Sequence, residues 1–273
     1  GKDELTPGWT SYRKHLCFQT YEVTDYLKEG KNAAGAVLAA GWYKGKMGFE
    51  GLEKRRNHYG ENTALLAQMV IRYEDGTEEL FVTDESWSGA DAPVVFAEIY
   101  DGEIYDGAKE IKGWAKAGCT AGQWKPVRKL DYDFSVLTGQ GSGKVSLMDE
   151  VKPKEIFETP EGDLVIDFGQ NMSALIQVTA TGKKGDVIRL DCFEVLDSKG
   201  NVYLDNLRGA KESLQYTFGE DGTITYRPSF TFMGFRYAKI VSFPGTPEPG
   251  NFIAHAIHTN MERTGFLETS NPD

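Results

Sequence analysis

The sequence predicts an all-β protein made of two consecutive antiparallel β-sandwich, jelly-roll-like domains. Three observations lead there. Short apolar, β-branched or aromatic runs recur along the whole chain, separated by Gly, Asp and Lys-Gly turn signals. Helix-period segments are scarce. A length of 273 residues exceeds one ordinary sandwich and suits two.

The elements follow in order. LCFQTYEV (16–23) reads as a strand, and VTDYLKEG (23–30) is the best helical segment, with Thr24 and Gly30 as its caps. The small, apolar run AAGAVLAAGWY (33–43) suggests a strand buried on both faces. ALLAQMVIRY (64–73) and EDGTEELFVTD (74–84) form a hairpin about Asp75-Gly76. VVFAEIYDGEIYDGA (94–108) and the region of Trp114 and Trp124 close a first domain at 1–128. A polar GQGSG stretch marks 129–150 as linker and first strand of the next unit. The second sandwich, 151–262, holds strand-like runs at 163–170, 174–182, 186–197, 213–219, 224–232 and 235–243.

Hydrophobic residues make up 40% of the chain and aromatics 12%, enough apolar material for real cores. The formal charge of −11 repels phosphate backbones and anionic lipid, which argues against nucleic-acid and membrane partners. The three cysteines, Cys17, Cys119 and Cys192, lack zinc-ligand spacing, and an odd count leaves no complete disulfide set. Cys17 and Cys192 sit in apolar runs and read as buried thiols. This favours a cytoplasmic over a secreted setting. Gly1 opens inside a motif, so an export segment ahead of it stays open.

No G-x-S-x-G, H-E-x-x-H or phosphate-binding glycine loop is present. His255 and His258 stand three apart, and on a strand that spacing puts them on opposite faces. YDGEIYDG (100–107) is the densest acidic-aromatic cluster, with Asp101, Glu103 and Asp106 between tyrosines. Hard oxygens suit calcium, and carboxylates beside aromatic platforms suit sugars; a rim turn is the plainer alternative. RRNHYGENTA (55–64) is a second polar loop, carrying Asn57 and Asn62. Asp167, Asp191 and Glu194 supply carboxylates of the kind a glycosidase pair needs, although nothing in the sequence makes them converge.

Many ordered motifs then carry a family resemblance. Residues 6–51, with PGWT, YEVT and GWYKG, are similar to the N-terminal sandwich of the bacterial α-L-rhamnosidases, glycoside hydrolase family 78. DFGQNMSA (167–174), FEVLDSKGNVY (193–203), Asn206-Leu207-Arg208 and RPSFTFMGFRY (227–237) resemble the sandwich that follows it. Residues 263–273 look like the family's lead-in to its catalytic (α/α)₆ barrel. The resemblance implies a non-catalytic portion, inactive by itself, that partners such a barrel in a longer protein. It also implies a calcium-dependent site for rhamnose or rhamnosyl glycosides in the front sandwich. Carried over, the sugar-binding residues are Asp3, Glu4, Asn57, Asn62 and Trp42, with Asp3, Glu4, Asn57 and Asn62 as calcium ligands. Glu4 stands where the family pattern has asparagine, and Trp42 has core packing as its other role. Two readings compete: a purely structural interdomain module without a ligand site, and a self-sufficient glycosidase using sandwich carboxylates.

Overall fold

The structure, a computed structural model, describes residues 2–47, 55–141 and 143–271. The parts of the sequence motifs that fall on 48–51, on Ser142 and on 272–273 lie outside the described residues. The fold is all-β with mainly antiparallel pairing.

Eleven strands share one hydrogen-bonded sheet: β1 (Asp3–Glu4), β2 (Val94–Glu98), β3 (Gly102–Asp106), β4 (Val145–Val151), β5 (Glu155–Glu158), β6 (Leu164–Gly182), β7 (Val187–Phe193), β8 (Ser213–Thr217), β9 (Gly222–Tyr226), β10 (Met233–Ser242) and β11 (Phe252–Thr259). The path runs β1-β4-β11-β6-β10-β7-β8-β3-β2, with β5 and β9 also pairing β6. Only the β3–β8 pair within this sheet is parallel, matching Gly102 with Ser213 and Asp106 with Thr217.

The sequence suggests two strands over 163–182, and the structure makes them one. Its first residues pair β5 and β10, and its last pair β9 and β11. The register shift with β10 between Asp167 and Met172 contains Gly169 at φ +84°, a conformation glycine adopts at no steric cost. Alternation sorts the side chains around this bend. Ile166, Cys192 and Ala238 enter the main core, while their neighbours Val165, Phe193 and Tyr237 form a smaller cluster, so this part of the sheet is covered on both faces.

Ahead of β4 the chain is less regular. The expected hairpin forms between Gln68–Arg72 and Glu78–Val82, with Gly76 at φ +85° in the turn. Leu16–Phe18 pairs in parallel with Leu137–Gly139. Two expectations fail. Residues 33–40 form no strand and are mostly exposed, and the chain then turns into a one-turn helix, Gly41–Lys44. Alanine and glycine offer a pleated sheet little to pack; Gly35 instead lies under the Trp114 ring, where a Cβ would stand 2.7 Å from it. The helix expected over 23–30 shrinks to a 3-10 turn, Thr24–Tyr26, preceded by Val23. The Thr24 hydroxyl and N–H both donate to the Glu22 carboxylate, a local bond that competes with helix capping.

Candidate functional site

The short β1 pairing sets Asp3 opposite Ser146 and Glu4 opposite Val145. Each acid meets a cation. Lys144 Nζ lies 2.8 Å from Asp3 Oδ2, and this bond holds the Asp3 carboxyl below its ordinary range. Lys144 also sits 4.3 Å from the Tyr21 ring centroid. Arg227 Nη2 donates to Glu4 Oε1 at 3.0 Å, linking β1 to the segment after β9.

Asn57 lies on a loop bonded to the helical turn Gly41–Lys44, which carries Trp42. Asn57 takes φ +61°, a left-handed conformation that asparagine tolerates, and its N–H donates to the Lys44 carbonyl. Tyr59 N–H donates to Tyr43, so the 57–59 loop is clamped against the helical turn that carries Trp42. Arg13 secures the loop from outside, donating to the His58 carbonyl at 2.8 Å. Beneath lies a hollow of about 220 Å³ lined by Tyr12, Arg13, Tyr43, Tyr59 and Tyr132. Burial and the nearby Tyr59 push the Tyr12 hydroxyl up to about 12. The Trp42 ring packs between Trp9 and Tyr100, with centroids 5.7 and 5.5 Å away.

Asn62 is exposed. Among the described residues, no hydrogen bond or ion pair joins Asp3 or Glu4 to Asn57 or Asn62. No group of three or more His, Cys, Asp or Glu among the described residues is disposed to hold an ion.

The acids of 101–106 separate. Asp101 is buried against Lys46, at 2.8 and 3.1 Å, with Arg56 3.6 Å away and also paired to buried Glu98. Glu103 is 1% exposed and accepts from the Tyr226 hydroxyl at 2.6 Å and from the N–H groups of Ser229 and Phe230 at 3.0 and 2.8 Å. Burial raises its carboxyl pKa against these bonds. Asp106 caps the next turn through Ala108 N–H. Lys46 and Arg56 escaped the sequence reading, since nothing in a basic loop says which lysine will be buried.

The carboxylates weighed as a glycosidase pair are likewise engaged apart. Asp167 receives a two-pronged bond from Arg236, at 2.9 and 2.8 Å, which holds it ionised below the usual range. Asp191 accepts from Arg189 and Ser213. Glu194 accepts from Asn171 and Asn206. Sequence reading also missed Glu212, which burial, reinforced by the charge of Glu194, pushes up to about 8. His255 is buried and His258 exposed, as their spacing predicts. Desolvation, with Arg227 next, lowers the His255 pKa.

Comparison with known proteins adds the following. The family model of the α-L-rhamnosidase N-terminal domain matches residues 1–149, and that of the bacterial α-L-rhamnosidase concanavalin-like domain matches 157–258. An α-L-rhamnosidase of Streptomyces avermitilis is 39% identical over 100% of this chain and 26% of its own length. One from an Alteromonas species is 31% identical over 99% of this chain and 29% of its own. The crystal structure of native α-L-rhamnosidase from Aspergillus terreus superimposes with TM-score 0.90 at 33% identity, covering 100% of this chain and 31% of that one. The Streptomyces avermitilis enzyme complexed with L-rhamnose gives 0.89 at 37%, covering 100% and 26%. The chain thus spans between a quarter and a third of the length of these relatives.

Proposed function

The chain belongs to the α-L-rhamnosidase family, and on that premise we propose that it is a carbohydrate-binding and scaffolding portion of an enzyme that removes terminal α-L-rhamnose from glycosides. The observation that carries the reading is that similarity to rhamnosidases runs through all of its length and both of its halves. In this reading a catalytic part of a longer protein performs the hydrolysis, and this chain holds saccharide near it. That raises the effective substrate concentration rather than lowering a barrier.

The tyrosine-lined hollow supports the binding half, because aromatic faces beside charged side chains, here Arg13 and Asp133, suit a pyranose. Asn57, Asn62 and the face around Trp42 belong to this proposed site, with Asp3 and Glu4 as its acidic members. Calcium is part of the same proposal, and holding it would require Asp3 and Glu4 to exchange Lys144 and Arg227 for the ion. Calorimetry with L-rhamnose, with calcium and with chelator, tests the reading. Saturable heat that falls in the Asp3→Ala/Asn57→Ala variant supports it, and no heat in either buffer removes it.

The Lys144–Asp3 and Arg227–Glu4 pairs favour a second reading, a structural module whose acids serve as internal ties. It predicts that the same double substitution lowers stability and leaves binding by a longer rhamnosidase unchanged.

A further inference from the structure

Another hollow lies at the seam where strands of the first half join the second. β3 adds in parallel to β8, while β9 leaves to pair with β6, so β8 and β9 do not close on each other. The gap is a hollow of about 370 Å³, within the roughly 300–1,000 Å³ span of small-molecule sites. None of the residues weighed for the Asn57 hollow lines it.

Its walls divide by chemistry. Tyr105 and Tyr216 stack at 5.3 Å and 12°, and Tyr226 packs 5.1 Å from Tyr105. Val94 and Ile224 add an apolar corner. Glu110, exposed and bonded to the Tyr105 hydroxyl at 2.9 Å, supplies an acceptor at the mouth. Arg227 also lines the hollow, with Nη2 bonded to Glu4 and Nη1 buried away from the open space. Glu103 and Glu110 outnumber the single arginine, which disfavours anionic ligands.

We infer that this seam hollow is a second saccharide subsite, taking a neutral 6-deoxy pyranose such as L-rhamnose. A ring hydroxyl donates to Glu110, the ring's apolar face lies against Tyr105, and the methyl group reaches Val94 and Ile224. The choice of sugar rests on the proposed function; the hollow does not.

Nuclear magnetic resonance titration of the full chain with L-rhamnose tests this, comparing wild type, Glu110→Ala, Tyr105→Phe and Asp3→Ala/Asn57→Ala. Glu110 is exposed, so its loss spares the core, and unchanged melting of each variant verifies folding. The expected result is shifts at Tyr105, Ile224 and Arg227 that persist in Asp3→Ala/Asn57→Ala. Affinity read from those shifts should weaken about tenfold in Glu110→Ala and several-fold in Tyr105→Phe. L-mannose, with a hydroxymethyl in place of the methyl, should bind the seam several-fold more weakly. Binding that vanishes in Asp3→Ala/Asn57→Ala and is untouched in Glu110→Ala would overturn the seam site and leave the proposed function standing. No shift anywhere in the wild type would overturn both.

Discussion

Glu4 and Arg227, 223 positions apart, are joined by one hydrogen-bonded ion pair at 3.0 Å, with side chains only 12% and 23% exposed. The first ordered strand is thereby tied to the segment that leaves β9. Removing one partner of a shielded pair strands the other, a larger effect than loss of a surface pair. Arg227→Ala should therefore destabilise the chain by about 1–3 kcal/mol in urea unfolding, and Glu4→Gln by less. A double-mutant cycle isolates the coupling.

The parallel β3–β8 pairing depends on Gly102. It sits at φ +99°, and a Cβ there would fall 1.8 Å from the Ser213 carbonyl oxygen. Both the conformation and the space exclude a side chain. Gly102→Ala should cost roughly 3 kcal/mol or more. Amide exchange should rise in β2 and β3 before it rises in β10 and β11.

Glu103 organises the turn after β9 by accepting three bonds with both oxygens. Truncation leaves two N–H groups and a phenol without an acceptor in a buried place. Glu103→Ala is expected to cost about 2–4 kcal/mol. Glu103→Gln keeps one acceptor oxygen and should cost less, which equilibrium denaturation of the two variants resolves.

Glu212 makes stability depend on pH. Its carboxyl pKa rises from an ordinary 4.5 to about 8, so the folded chain binds this proton more tightly than the unfolded chain does. The contribution is fully present below pH 4.5 and is lost as pH rises through about 8, with a slope of at most about 1.4 kcal/mol per pH unit. Between pH 5 and pH 8 the wild type should therefore lose more stability than Glu212→Gln. Equal losses in the two proteins would contradict the assignment.

Much of the fold was legible because local chemistry and tertiary structure agree. Asp75-Gly76 specifies its hairpin, and the strand-like run at 186–197 carries a strand at Val187–Phe193. The 33–43 run misled because apolar composition was read as burial, whereas small side chains there receive a tryptophan instead of forming a strand. The acids at 101–106 were legible as unusual but not as separate, since their partners Lys46, Arg56, Tyr226 and Ser229 come from distant segments. The seam hollow was invisible for the same reason: Tyr105 and Tyr226 meet only through sheet topology.

The proposed function requires that this chain hold rhamnosyl saccharide without cleaving it. Saturation-transfer magnetic resonance on the purified chain with an aryl α-L-rhamnoside tests both halves together. The account predicts saturation transfer to the rhamnose ring and methyl protons, competed by free L-rhamnose, while the glycoside's anomeric signal stays unchanged over hours. No transfer would contradict binding, and the appearance of free rhamnose would contradict the assignment of hydrolysis to another part of a longer protein.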